Sequence, residues 1–304
     1  MYFLRAMPGA VAEGLIWGLV AIGIYISFKI LDIADMTVDG SICTGGCVCA
    51  ALMNMGVPIW ICILAAFVAG AMAGAFTGLI HTSFGIPSIL AGILTQMMLY
   101  TVNTVILNGE SLAKLDFAAT RLLSSDDNTR AIVVGALFVT GLIICLWLFF
   151  YTEIGLTIKS TGDNPDMSRA QGINVDRNKV LGLAIANGIV AVAGALYVQY
   201  KGTMGLQDGR GAIVTGLAAI FIGLSVSMKI KPYFVVSLIG VVCGAIAYFI
   251  IYNIVMLLGL NTDYLKMLSA AIVIVFMAIP YVKRKYFTKQ KPLPIENGQP
   301  QGGA

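Results

Sequence analysis

VPIWICILAAFVAGAMAGAFTGLI, residues 57–80, contains no charged side chain and no alternation of apolar with polar positions. As a helix it reaches about 36 Å at 1.5 Å per residue, enough to cross a hydrocarbon core of about 30 Å. Lipid offers no water to pair exposed backbone N–H and C=O groups, so such a run must be helical; a barrel strand would alternate. Similar runs recur at 8–28, 40–55, 87–107, 131–151, 180–200, 211–228, 233–259 and 264–282. The chain is therefore read as an all-α, polytopic transmembrane bundle of about nine spans. Composition agrees: 59% of residues are hydrophobic and 11% charged, with a mean hydropathy of +0.90, whereas soluble domains carry about 25% charged residues. The run at 8–28 lacks an A-x-A-like cleavage site and is long for a signal-peptide core, so it is read as a retained helix.

The second and seventh spans are short and glycine-rich, with Gly45-Gly46 in one and Gly211, Gly216 and Gly223 in the other. Broken or re-entrant helices are expected there. Asp39-Gly40 follows the first span as Asp208-Gly209 follows the sixth. That pairing fits either an inverted repeat or two ordinary Asp-Gly turns. With the N-terminus outside, the inner segments hold 12 of the 19 Lys and Arg residues and the outer segments 7. The positive-inside rule thus places the N-terminus outside and the C-terminus in the cytoplasm. Residues 1–282 form the membrane domain. The tail 283–304 is basic from Lys283 to Lys291, suited to anionic lipid headgroups, and then rich in Pro, Gly and Gln, a disordered composition.

Polar residues inside apolar spans are costly and usually face a bundle interior or a cavity. Asp39 stands where a broken second helix would begin, so it either caps that half-helix or lines a cavity. Gln96, Asn103, Asn187 and Asn253 either face a translocation path or bond across helices as packing glue. Glu13, near the outer end of its span, reaches the headgroup layer, and the single histidine, His81, is interfacial. Cys43, Cys47, Cys49, Cys62, Cys145 and Cys243 all fall in apolar stretches, where burial as small hydrophobes is the expected role rather than metal binding. The chain carries no G-x-x-x-x-G-K-[ST] loop, nucleophile elbow or zinc motif. It is read as a non-enzyme that needs neither metal nor cofactor and has no nucleic-acid partner; any ATP chemistry belongs to another subunit.

One inner segment, 152–179, is long. Within it Asn164 can cap a short helix that starts at Pro165, with Asp166 at its positive end and Gly172 as a left-handed stop. The element is either a knob for a soluble partner or a solvated connector. STGDNPDMSRAQGINVDRNKVLGLAIANGIVAVAGAL (160–196) resembles the cytoplasmic coupling segment and following helix of ABC importer permeases for branched-chain amino acids, ribose and related solutes. Within that superfamily it is most similar to tryptophan/tyrosine-type amino-acid permeases. The likeness extends through YVQYKGTMGLQDGRGAIVTGLAAIFIG (197–223), SFKILDIADMTVDGS (27–41) and HTSFGIPSILAGILT (81–95). The resemblance implies a paired permease, most simply a homodimer, in a bacterial cell membrane, with two copies of a cytoplasmic ATPase and an external solute-binding protein. It implies that Asn164, Pro165, Asp166, Met167, Ser168, Arg169, Ala170, Gln171 and Gly172 dock in the ATPase. The expected cargo is an amino acid of aromatic or other type, with a nucleoside or sugar as the alternative; an ion-coupled secondary transporter is the competing class.

Overall fold

The computed structural model describes residues 2–115, 121–125, 127–227 and 234–257, together with 267, 270, 271, 274 and 278. Ten α-helices follow one another among them: α1 Tyr2–Tyr25, α2 Val38–Asn54, α3 Ile59–Ser83, α4 Ser88–Ile106, α5 Asn128–Phe150, α6 Glu153–Asp163, α7 Pro165–Ala170, α8 Val175–Lys201, α9 Ala212–Ser227 and α10 Phe234–Leu257. A π-helical turn, Ile26–Ile30, extends α1. Two short strands, β1 Leu112–Lys114 and β2 Thr203–Gly205, pair antiparallel with Ala113 opposite Met204. The all-α bundle expected from the sequence is what forms.

Six helices among the described residues are long and apolar enough to cross a membrane. The remaining three of the nine expected spans divide in two ways. Those at 40–55 and 211–228 are α2 and α9, of 17 and 16 residues, too short to cross fully. The one at 264–282, apart from five residues, and the whole tail 283–304 lie outside the described residues.

Glycines let the central helices approach backbone to backbone. On α3, Gly70, Gly74 and Gly78 lie against Asn187, Leu183 and Val180 of α8, so the two helices run antiparallel. A Cβ at Gly74 would run into the Leu183 carbonyl. This is the small-xxx-small packing by which helices associate in lipid, where apolar side chains gain little from leaving one apolar surface for another. Likewise α1 runs antiparallel to α10, with Gly14 against Ile246 and Gly18 against Val242. The half-length helices run parallel to their neighbours. Ser41, Gly45 and Gly46 of α2 meet Asn187, Ala191 and Gly194 of α8. Gly216 of α9 meets Ile24, and the Phe221 and Phe28 rings lie 6.4 Å apart.

The bundle has two ends, called here the α7 face and the β face after the elements on them. The end of the first helix reaches the α7 face, where Gly162 of α6 packs on the Ile30 carbonyl and Gly182 of α8 on Leu31. Residues 31–37 then turn back inside, because Asp35 is already level with Asn187, halfway along α8. From there α2 runs out to the β face, where Asn54 Nδ2 donates to the Lys114 carbonyl at 2.8 Å. After α8 ends at the β face, residues 206–211 turn back in the same way and Gly209 packs on the Asp39 carbonyl. Thus α2 and α9 begin side by side at mid-depth and diverge towards opposite faces.

Candidate functional site at the junction of α2 and α9

The first N–H groups of a helix have no partner within it, and the aligned peptide dipoles make that end positive. Two such ends meet at Asp39. Its Oδ2 accepts from the Gly211 amide at 2.9 Å and its Oδ1 from the Ile213 amide at 3.0 Å. Of the two readings of Asp39 from sequence, capping its own half-helix is not what its hydrogen bonds do: it stands in the first turn of α2 but caps α9. Thr37, the N-cap residue of α2, makes no side-chain capping bond. Both ends favour the carboxylate electrostatically, since one lies beneath it and the other donates to it.

Beside this junction a cavity of about 300 Å³ opens between α2, α4 and the 206–211 turn. Three of the five residues proposed from sequence for a pathway, Asp39, Gln96 and Asn103, line it with Cys43, Tyr100 and Arg210. Asn103 is 1% exposed, and its Oδ1 is a buried acceptor without a hydrogen-bond partner among the described residues. Such a group costs about 1–3 kcal/mol unless something donates to it.

Asn187 does not reach this cavity. Behind α2 it donates to Asp35 Oδ2 at 2.6 Å and to the Leu183 carbonyl at 3.0 Å, and accepts from Ser41 Oγ at 2.7 Å. Asp35 Oδ1 accepts from the Thr37 amide at 2.8 Å. The hydroxyls of Thr37, Thr77 and Thr95 continue the chain at 2.7 and 2.9 Å. Asn187 thus bonds across helices, to α2 and to the 31–37 turn. Asn253 is half-buried on α10 and is not among the cavity's walls. Asp35 and its threonine partners were not singled out from sequence. Their signal was there: Asp35 is a carboxylate between Ile33, Ala34 and Met36, four residues before Asp39.

At the α7 face the segment 152–179 holds two helices rather than one. α6 was not anticipated; Thr152 caps it by accepting from the Gly155 amide at 3.3 Å. α7 follows the sequence reading, with Asn164 Oδ1 accepting from the Met167 amide at 3.0 Å, Pro165 in the first turn and Gly172 at φ +80°. Of Asn164 to Gly172 only Ser168 is buried; the other eight are exposed. The Arg169 guanidinium lies 3.7 Å from Asp166 and 3.8 Å from Asp176, exposed pairs of small energetic weight. α6 anchors this knob to the bundle, for Ile158 is fully buried and Thr161 accepts from Asn178 Nδ2 at 3.0 Å. Through Gly162 and Ile30 it touches the segment that turns back to Asp35.

Three further residues acquire partners. Glu13, expected to reach only headgroups, pairs with Lys201 at 3.2 Å. The Ile86 carbonyl accepts from His81 Nδ1 at 2.8 Å, which leaves Nε2 to accept from Lys179 at 3.4 Å. Cys43 Sγ accepts from the Gly209 amide at 3.2 Å. Cys43, Cys47, Cys49 and Cys62 are buried as expected, whereas Cys145 and Cys243 are exposed.

The profile of the family described as "Branched-chain amino acid transport system / permease component" matches residues 9–277. A "Tyrosine transport system permease protein" of Clostridioides difficile (strain R20291) is 34% identical over 90% of this chain and 91% of its own. A ribose import permease protein of Escherichia coli (strain K12) is 22% identical over 82% and 78%. No solved structure matches the chain. With apolar helices crossing a bundle, a polar junction at its centre and a profile that covers nearly the whole chain, the protein belongs to the branched-chain amino acid/ribose-type family of ABC importer permeases.

Proposed function

We propose that this permease carries an amino acid, of the aromatic class, into the cell by alternating access, driven by an ATPase that grips α7 and fed by an external solute-binding protein. The observation that carries the reading is the α2–α9 junction, where two helix ends and a carboxylate meet at mid-depth beside a cavity. Broken helices with polar ends at the midplane are how transporters hold a solute between two gates. The matched packing supports a two-unit mechanism: α3 lies along α8 as α10 lies along α1, and α2 follows α8 as α9 follows α1. Exchanging α1–α3 with α8–α10 preserves these neighbours and reverses the direction of the half-helices, as an inverted repeat requires. In this mechanism ATP-driven closure pulls α7, and α6 passes the displacement to Ile30 and the 31–37 turn. The α2 half then rocks against the α9 half. The α7 face is the cytoplasmic one and the β face receives the solute-binding protein, with the N-terminus outside, the C-terminus inside and a second permease copy completing the transporter.

Amino-acid cargo is supported by the tyrosine-transport relative. A sugar is the second reading, favoured by the ribose import relative. An ion-coupled carrier, the competing class, would need a mid-depth carboxylate open to an ion, whereas both oxygens of Asp35 and of Asp39 already accept hydrogen bonds. Co-purification with the proposed ATPase subunit tests the docking role. Arg169→Glu and Pro165→Gly are expected to lower ATPase recovery about tenfold while the permease still inserts and elutes as a folded species. Wild-type recovery with both variants would remove α7 from the docking role.

A further inference from the structure

A second cavity, of about 350 Å³, lies between α1, α8, α9 and α10. Its walls are aromatic. Trp17 stands edge-on to Tyr197 at 6.2 Å between centroids and 5.5 Å from Phe249, and Tyr252 lies 6.0 Å from Phe249. Around it are charges of both signs. Lys201 pairs with Glu13 at 3.2 Å and sits 5.0 Å from the centre of the Tyr197 ring. Asp208 and Arg210, on the turn that leads into α9, complete the lining. Arg210 also lines the cavity beside Asp39, so a single residue borders both spaces.

Two ordinary explanations of such a cluster do not account for it. Aromatic residues that anchor a protein in the membrane interface face the headgroups, whereas these line a half-open cleft between helices that reaches Val214 and Thr215 in the first turn of α9. Phe249 and Tyr248 are buried core with Trp17 packed against them, but a packed interior is filled nearly as densely as an organic crystal, and beside these rings a cavity remains open. The volume is within the range of small-molecule sites, which combine apolar walls with a few placed polar groups. An acyl chain would use the walls but not the charges. A sugar would stack on the rings but offers nothing to paired opposite charges. A zwitterion with an aromatic side chain uses both.

We propose that this cavity is a binding site for an aromatic amino acid within the permease itself, with the ring among Trp17, Phe249 and Tyr252 and the ammonium and carboxylate at the Glu13–Lys201 and Asp208–Arg210 charges. The inference rests on the amino-acid reading of the preceding section and adds a selective station inside the bundle. Ring–ring contacts add to what area burial supplies, and a carboxylate facing two cations gains a charge-assisted bond. Arg210 then hands the solute from this cavity to the one beside Asp39.

The chain has three tryptophans, which makes Trp17 a reporter once Trp60→Phe and Trp147→Phe are introduced. The full-length protein in lipid nanodiscs is titrated with L-phenylalanine, L-tyrosine, L-leucine and D-ribose while Trp17 emission is followed. Saturable changes are expected with the two aromatic amino acids, at concentrations about tenfold below any response to leucine, and none with ribose. Phe249→Leu raises the half-saturation point about tenfold and Phe249→Tyr restores it. No response to either aromatic amino acid, or equal responses to leucine or ribose, overturns the site. Uptake by the complete ATP-driven assembly separates the two levels. If an aromatic amino acid is imported while Trp17 is silent, the site falls and the amino-acid reading stands. If no amino acid is imported, that reading falls and takes the site with it.

Discussion

α5 and α8 are both long membrane helices, and the more apolar of the two is the one left outside. α5 has a mean hydropathy of 2.7 and 17% of its span buried; α8 has 2.0 and 67%. In water the order would be reversed. In lipid, leaving one apolar surface for another gains little, so close backbone approach and polar bonds decide which helix is central. α8 carries Gly182, Gly188 and Gly194 together with Asn187 and Gln199, and every one of these touches a neighbouring element. α5 turns Leu137, Ile144, Trp147 and Leu148 outward.

The comparison can be broken most severely at Gly194, where an added Cβ meets the Ile42 carbonyl of α2. Gly194→Leu is expected to cost about 3 kcal/mol or more, read as loss of the monodisperse folded species in detergent. Asn187→Leu is milder, because shape is kept but Asp35 and Ser41 lose their partner; about 2 kcal/mol is expected from thermal unfolding. Asp39→Ala removes the cap of α9 and costs about 1 kcal/mol by the same measurement. Its effect on uptake exceeds its effect on stability if the junction is the working part. The comparison is sharpened at the other extreme by Leu137→Ala on α5, 67% exposed, which is expected to change stability by less than about 0.5 kcal/mol. A large loss there would mean that α5 is buried against another copy of the chain.

How far the sequence was legible follows from the same physics. Spans announce themselves by unbroken apolarity, so α3, α4, α5, α8 and α10 could be placed within a few residues. Depth does not announce itself. A half-helix such as α2 differs from a full span only by length and glycine content, and its starting level was set by Asp35 and Asn187, 152 positions apart. Asp39 could be marked as a cap because a carboxylate at a helix start is a local signal. The helix it caps begins 173 positions later, and that pairing is purely tertiary. α7 was readable because Asn164, Pro165 and Gly172 are local punctuation. α6 was missed because a short helix lying on the α7 face has neither the length nor the continuous apolarity of a span. The aromatic cavity was invisible for a different reason: Trp17, Tyr197, Phe249 and Tyr252 look like any apolar residue of a span until three helices bring them together.

The most direct test of the central claim is solute uptake into proteoliposomes that hold this permease with its ATPase and binding protein, energised either by ATP or by an imposed proton or sodium gradient. The account predicts uptake of an amino acid with ATP, none with a gradient alone, and strong impairment by Asp39→Ala. Uptake driven by the gradient without ATP, or an Asp39→Ala variant that transports at the wild-type rate, would contradict it.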